Sequence, residues 1–483
     1  MILAEIYEPT FSKQSHGFRP KRSCHTALEA VQTGFKGAKW IVEGDIEACF
    51  DSFDHHVLTE LLRKRIQDEQ FISLMWKFLK AGYMEQWTYK QTYSGTVQGS
   101  GMSPILANIY LNELDIFLTN YQSQFKSDKR AESEQYGKAE YQMKKARREL
   151  AKDNNKETVK AFKKAQQNKF NTPYRPIRET GYKQLRFCRY ADDFVVGIIG
   201  SKEDAEQVKA DIKQFLTDTL KLTLSDRKTK VTHSSELIRF LGYDFTVSRS
   251  KDVSRNKIGV LQRFRYGKVR LYVPYEKWRN KLLEYKTLKI TTDKDGNENW
   301  KSIHRGFLIN KTDVEIISKY NAEIRGLYNF YKLAVNVSVL NKFNFIMKGS
   351  MIRTFACKYK SSFKQIMKKY TKDDVFTVFY ETKSGTKSSE YYHDGFAMQR
   401  ADKAVDVDVL EQYKKYDRPN SLGGRLRSNK CEKCNNHTDD IHMHHIKRMK
   451  DLADRNDFEI LMKKNRRKSL ALCKDCYEEL KHL

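Results

Sequence analysis

No apolar run in the 483 residues approaches the roughly 18–20 that a membrane span needs. The opening MILAEIYEPTFSK has no basic-then-apolar layout, so it does not read as a secretory signal. Cysteine is scarce and uneven: eight residues, four scattered (Cys24, Cys49, Cys188, Cys357) and four paired near the C-terminus. That excludes a disulfide framework and points to a reducing compartment with one local metal site, so the expected setting is the cytoplasm, with no membrane partner. Acid is short as well: 61 Asp and Glu stand against 90 Lys and Arg, a formal net charge of +29. A surplus of that size implies a polyanionic partner, nucleic acid ahead of a membrane surface. Internal repeats are absent. What is abundant is aromatic, with 27 Tyr and 27 Phe, a supply that suits base stacking and cores alike.

Along the chain, residues 1–120 alternate strand and helix signals with few breakers, whereas 121–170 are almost entirely charged or amide. The second stretch reads as an exposed helix or helical hairpin, a solvated insertion. SKEDAEQVKADIKQFL opens with Ser201 and Asp204 in capping-box spacing and carries Val208, Ile212 and Phe215 on one helical face. LTLSDRKTKVTH and IRFLGYDF read as further strands, and 255–400 as helix-rich, basic and aromatic. DRPNSLGG (417–424) reads as a linker before a small module around the paired cysteines.

In RFCRYADDFVVG (186–197), Asp192 and Asp193 stand between two runs of aromatic and β-branched residues. That pattern predicts two strands joined by a tight turn. A charged pair at a hairpin tip is ordinarily a solvated turn, so other residues must give it a role. Upstream, WIVEGDIEACFDSFDHH (40–56) predicts a buried strand through Ile41, Val42 and Ile46 whose end carries Asp45. Nucleotide polymerisation uses two divalent ions about 4 Å apart, one at the primer 3′-oxygen and one at the triphosphate. Hard ions such as Mg²⁺ take oxygen ligands, which carboxylates from neighbouring strands would supply. Phe50, five residues beyond Asp45, could then lie beneath the sugar of the incoming nucleotide. In SGTVQGSGMSPILANIYLNELD (94–115), Gly95, Gly99 and Gly101 allow close backbone approach to a ligand. Ser103 and Pro104 are expected as N-cap and first residue of a helix with Ile105, Ile109 and Leu114 facing inward.

GFRPKRSCHTAL (17–28), DIEACFD, QGSGMSPILANIYLNELD, YADDFVV and FLGY, in that order, resemble the reverse transcriptase of group II introns. FLINKTDVEIISKYNAEIRGLYNFYKLAVN (307–336) resembles that family's maturase region, which serves as thumb and intron-RNA clamp. The resemblance implies that Asp45, Asp192 and Asp193 are the magnesium-site carboxylates, the last less directly coordinating. It implies that Phe50 is the gate that excludes ribonucleotides and that Gln98, followed by Gly99, contacts the incoming nucleotide. Val97 stands where the family usually has proline, a change in loop stiffness. The likeness begins at about the family's second motif, so the fingers segment that precedes it is expected either beyond a fragment's end or supplied otherwise.

The basic, aromatic helices of 255–370 suit a solvated face over an aromatic core, and beside a polymerase palm they suit a thumb that tracks an RNA-containing duplex. Farther on, CEKC, IHMHHIKRMKD and KNRRKSLALCKDC span 431–476. Two CxxC knuckles in one short segment predict a structural zinc site of Cys431, Cys434, Cys473 and Cys476. His444 and His445 before Ile446, with Asn465 later, resemble the HNH endonuclease appended to many group II intron proteins. By that match His444 would hold the nuclease's divalent ion, His445 would be the general base, and Asn465 would orient the histidine-bearing loop. The family commonly has histidine directly after the last cysteine, where this chain has Tyr477.

The expected fold is α+β. A right-hand polymerase palm with incomplete fingers (1–250, with the 121–170 insertion) precedes a helical thumb and maturase domain (251–420) and a small zinc-stabilised ββα HNH module (421–483). The expected function is RNA-directed DNA synthesis for a group II intron, with maturase help in splicing and site-specific DNA cleavage. Its partners would be intron RNA, an RNA template with DNA primer, double-stranded target DNA and dNTPs. The rival readings are a non-enzymatic RNA-binding maturase and another retroelement's reverse transcriptase.

Overall fold

The computed structural model describes residues 2–85, 88–90, 94–96, 101–127, 133–174, 181–250, 253–256, 258–259, 261–263, 266–382, 385–401, 425–426, 428–446, 452–453, 455–464 and 469–482. The chain divides into two compact units, Ser12–Asp406 and Met1–Phe11 with Val407–Leu483. Among the described residues, no helix is long and apolar enough to cross a membrane.

Ser12–Asp406 is organised on a four-stranded antiparallel sheet in the order Gln184–Tyr190, Asp193–Ile199, Trp40–Gly44, Lys230–His233. The run FVVGII shows no polar alternation because both faces of the sheet are covered by helices. On one face, Ala27, Leu28, Val31 and Phe35 of the Cys24–Gly34 helix and the turn after it pack with Ile41, Cys188 and Val195. Gly197 makes room for Phe35 there, since a Cβ would come within 2.8 Å of the ring. The helices Ser103–Phe125 and Lys202–Leu220 also pack on the sheet. The expected capping box starts the second of these: Ser201 Oγ accepts from the Asp204 amide at 3.1 Å and Asp204 Oδ2 from the Ser201 amide at 2.8 Å. Val208, Ile212 and Leu216 form its buried stripe, while Phe215 is half-buried and stacks on Phe117 with centroids 4.3 Å apart.

Several local expectations need correction. The strand ends at Gly44, and Ile46 is buried through an isolated bridge to Leu224 rather than a continued ladder. The described part of 1–120 gives the sheet only that strand, plus a separate small hairpin, Tyr83–Glu85 with Thr88–Lys90. Its other periodic segments are amphipathic helices, two of them capped by Asp54 and Asp68. Ser103 is the first residue of its helix, buried and already helical, and Met102 holds the cap position. Ile109 and Leu114 face the core, whereas Ile105 is half-buried. The charged insertion is a helical hairpin, Glu134–Lys152 against Lys156–Asn171, with Asn155 capping the second helix. Residues 121–125 instead complete the preceding helix.

The IRFLGYDF segment forms a hairpin, Ile238–Phe240 with Tyr243–Val247, turning through Leu241 and Gly242. Both turn residues have positive φ, 48° and 76°, the pattern whose twist matches paired strands. Beyond it lie the helices Tyr275–Glu284, Asp313–Tyr331, Leu340–Lys358 and Phe363–Tyr370. The region is less purely helical than expected, since it also holds the hairpin Leu288–Thr292/Glu298–Ser302 and a three-stranded sheet through Val375–Thr382. One apolar core runs continuously from Ala27 to Phe396, with Tyr243, Tyr320, Phe343 and Phe355 among its largest members.

In the other unit, strands Ile441–His445 and Ser469–Cys473 pair antiparallel, with helices Asp457–Lys464 and Lys474–Lys481 beside them. Its core is small: Cys431, Leu452, Phe458, Met462, Leu470, Leu472, Cys473 and Cys476. The 417–424 linker expectation lies outside the described residues.

Candidate active site and metal centre

Asp45 leaves the end of the Trp40–Gly44 strand, whose Gly44 is paired with Phe194 of the neighbouring strand. Asp193 precedes Phe194, so the register brings Asp45 and the ADD hairpin to the same end of the sheet. Gly44 permits this closeness, because a Cβ there would come within 2.0 Å of the Phe194 ring. A cleft of about 240 Å³ opens at that end, lined among others by Glu43, Asp45, Asp193, Lys228 and the Phe240–Gly242 turn.

The electrostatics of the cleft are those of carboxylates short of counter-charge. Burial, and then the Asp45 charge, push the Asp192 carboxyl above the usual carboxylate range. Asp193 keeps solvent access, yet the protein crowded around its carboxyl, followed by Asp192 and Asp45, pushes it up to about 6. Lys228 opposes both shifts, and its Nζ donates to Asp45 Oδ2 at 3.0 Å and Oδ1 at 3.2 Å. Nearby Cys49 is kept as a thiol, first by burial and then by Asp192. Carboxylates whose charge Lys228 compensates only in part supply the hard oxygens that suit a divalent cation such as Mg²⁺, which uses one or two carboxylates together with substrate phosphates.

Phe50 lies on the short helix Cys49–Ser52, half-buried, with its ring edge-on to Phe53 and to Phe18 of the GFRP segment. Gly95 packs against the chain itself: its φ is +77°, and a Cβ would meet the Phe50 carbonyl oxygen at 2.4 Å. The Thr96 amide donates to that same carbonyl at 2.6 Å, so the glycine serves close packing of two chain segments. Gly101 has open space where a Cβ would be. Gln98 and Gly99 lie outside the described residues, as does Asn465. The sequence reading missed Lys228 and the buried pair Arg189–Asp115, because each acquires its role through a partner distant in the chain.

The cysteine site is more closed. Four zinc–sulfur bonds of about 2.3 Å in a tetrahedron put the sulfurs about 3.8 Å apart. Cys434 and Cys473 Sγ are 3.7 Å apart, and all four sulfurs lie within 4.8 Å of one another. Burial works to raise the Cys431 thiol, but the amides of Cys434, Cys473 and Lys433 bring it down to about 7, toward the thiolate that a metal requires. The residues present therefore fit zinc, and among the described residues this is the one such cluster. His444 and His445 are paired with Leu470 and Ser469, which puts them on opposite faces of their strand. His444 is held below its ordinary value by burial and by His445. On its face stands His442, which the sequence reading passed over, stacked on Tyr477 at 5.0 Å and 14°.

Three family models match successive parts of the chain. Reverse transcriptase (RNA-dependent DNA polymerase) matches 1–129 and 158–245, leaving the whole of the first insertion helix outside it. Type II intron maturase matches 266–406, and AI2M/AI1M-like, HNH endonuclease matches 431–477. The group II intron-encoded protein LtrA of Lactococcus lactis subsp. cremoris is 38% identical over 492 residues, covering 100% of this chain and 80% of the relative. An uncharacterized 91 kDa protein in the cob intron of Schizosaccharomyces pombe is 33% identical, over 99% of this chain and 58% of that one. The solved apo telomerase from Candida tropicalis aligns with a TM-score of 0.33 at 10% identity, over 76% of this chain and 50% of that one. With reverse transcriptase, maturase and HNH endonuclease regions in order and a match to LtrA that spans the whole of this chain, the chain belongs to the group II intron-encoded proteins.

Proposed function

We propose that this chain copies its intron RNA into DNA at the site formed by Asp45, Asp192 and Asp193. The observation that carries the reading is their convergence: two elements far apart in sequence deliver under-compensated carboxylates to one sheet end, beside an open cleft. Magnesium, when bound there, would activate the primer 3′-oxygen and neutralise the triphosphate. The aspartates hold the charge that recruits it, Lys228 steadies Asp45 beforehand, and Phe50 limits space beneath the sugar of the incoming dNTP.

In this reading, residues 1–250 act as fingers and palm, and 251–420 as the thumb that clamps intron RNA during splicing and the RNA template with its DNA primer during copying. Residues 421–483, with a structural zinc on Cys431, Cys434, Cys473 and Cys476, nick one strand of double-stranded target DNA. His445 would be the general base, His444 a ligand of the nuclease's divalent ion, and Asn465 the residue that orients their loop. Nicking then yields the 3′ end that the polymerase site extends.

The test is Asp192→Ala. It should abolish DNA synthesis on an RNA template while leaving RNA affinity nearly intact, because affinity comes mostly from Lys and Arg contacts to phosphates. Substantial synthesis by the folded variant, or a loss of RNA binding as large as the loss of synthesis, would overturn the assignment.

A further inference from the structure

Arg189 is the second residue of CRYADD, on a strand whose preceding residues Phe187 and Cys188 are apolar and buried. Its guanidinium points inward and meets Asp115, at the end of the LNELD motif, in a two-pronged pair. Nε donates to Oδ1 at 2.8 Å and Nη2 to Oδ2 at 2.6 Å, with both side chains at 0% exposure. An enclosed ion pair is a poor device for stability, since apolar residues of similar volume fill such a place as well or better. Its third arm suggests another use. Nη1 donates to the carbonyl oxygen of Ala191 at 2.8 Å. Ala191 is the first residue of the two-residue turn, held at φ 54°, a left-handed conformation that alanine adopts at a cost. Fixing that carbonyl fixes the peptide plane that leads into Asp192.

The turn is gripped from its other side too. A Cβ on Gly17 would lie 2.5 Å from the Ala191 amide nitrogen, so the backbone of the GFRP segment presses directly on the turn. Asn108 Nδ2 donates to the Gly17 carbonyl at 2.9 Å, while Asn108 Oδ1 accepts from Arg189 Nη1 at 3.4 Å. The segment is also strapped to Arg189 itself: the His16 amide donates to its carbonyl and its amide donates to the Gln14 carbonyl, each at 2.9 Å. Three motifs far apart in the chain thus converge on one residue three positions before Asp192.

We propose that Arg189, anchored by Asp115, is the positioning residue that sets the Ala191 turn and thereby the placement of the Asp192 and Asp193 carboxylates for polymerisation. The proposal rests on the polymerase reading above. Arg189 touches neither substrate nor metal in this scheme and acts only through the turn.

The experiment compares the parent full chain with Asp192→Ala, Arg189→Lys and the double substitution Arg189→Met with Asp115→Leu. Lysine keeps a charge beside Asp115 but cannot reach both Asp115 and the Ala191 carbonyl with a planar fork. The apolar pair refills the core while removing the hold on the carbonyl. For each we would measure thermal unfolding, RNA affinity, primer-extension kcat, KM for dNTP and the Mg²⁺ concentration at half-maximal rate. Both Arg189 variants should stay folded and bind RNA as the parent does. Their kcat should fall about 10- to 100-fold, the scale set by an ångström of misplacement. The Mg²⁺ requirement should rise at least about threefold. A merely structural pair would move the unfolding temperature alone. A folded apolar pair that extends primers at the parental rate and Mg²⁺ requirement overturns the proposal while leaving the polymerase reading intact. Failure of both Arg189 variants to fold also overturns it, assigning the network to folding. A parent that copies no RNA overturns the polymerase reading and this proposal with it.

Discussion

Lys228 Nζ lies 3.0 Å from Asp45 Oδ2, where a cation would be expected to sit. The lysine is raised above its ordinary value, first by that hydrogen bond and then by the Asp45 charge. Lys228 and a divalent ion therefore compete for one carboxylate. Removing the lysine in Lys228→Ala should tighten binding of Mn²⁺, used as a spectroscopic stand-in for Mg²⁺, by about two- to fivefold, the scale of one partly exposed ion pair. Unchanged Mn²⁺ affinity would mean that the lysine swings away at no cost.

Phe50 makes the second prediction. Among the described residues its ring is paired edge-on with Phe18 and Phe53, so truncation should spare the fold. Phe50→Ala should raise incorporation of ribonucleotides relative to deoxyribonucleotides, measured by single-nucleotide primer extension with competing substrates. Unaltered discrimination would reduce Phe50 to a packing aromatic.

A pH dependence follows from His16. It is buried beside the ADD turn, with Nδ1 2.8 Å from Thr26 Oγ1. Burial, then Arg22, Arg19 and Arg189, lower it from 6.5 to about 3. Between those values the unfolded chain binds a proton that the folded chain refuses, so stability rises with pH across the window and is lost as pH falls. The neutral His16→Gln should flatten that loss, by up to about 3 kcal/mol at pH 4. Urea midpoints of both proteins from pH 7 to pH 4 would show it, and parallel curves would exclude His16 as the cause.

The C-terminal unit offers a two-metal contrast. Cys473→Ser breaks the sulfur cage and should remove zinc, DNA binding and nicking together, because so small a core does not stand alone. His445→Ala should retain zinc and fold while nicking falls about 100- to 10,000-fold, the usual worth of a positioned general base, with polymerase activity unaffected. Zinc content, strand nicking and primer extension on the same proteins decide it. Parental nicking by His445→Ala would remove the base assignment. A parent that holds zinc but never nicks would point to Tyr477, stacked on His442, as the mark of a module kept for DNA binding.

Much of this protein is determined by local sequence. The ADD hairpin, the strand leading to Asp45, the Ser201 capping box and the paired cysteines are short-range patterns, and each forms where its own residues place it. Alternation, capping and CxxC spacing act over a few residues, which is why they are legible without a fold. Other features depend on contacts made only after folding. Alternation puts Arg189 on the strand face of buried Leu185 and Phe187, where its charge would be out of place, and only Asp115, 74 residues away, explains its burial. Lys228 reaches Asp45 across 183 residues, and Gly95 makes room for the Phe50 carbonyl. The chemistry of the carboxylates belongs to their sequence, but their relative placement is set by strand register and a buried guanidinium, which exist only in the packed sheet.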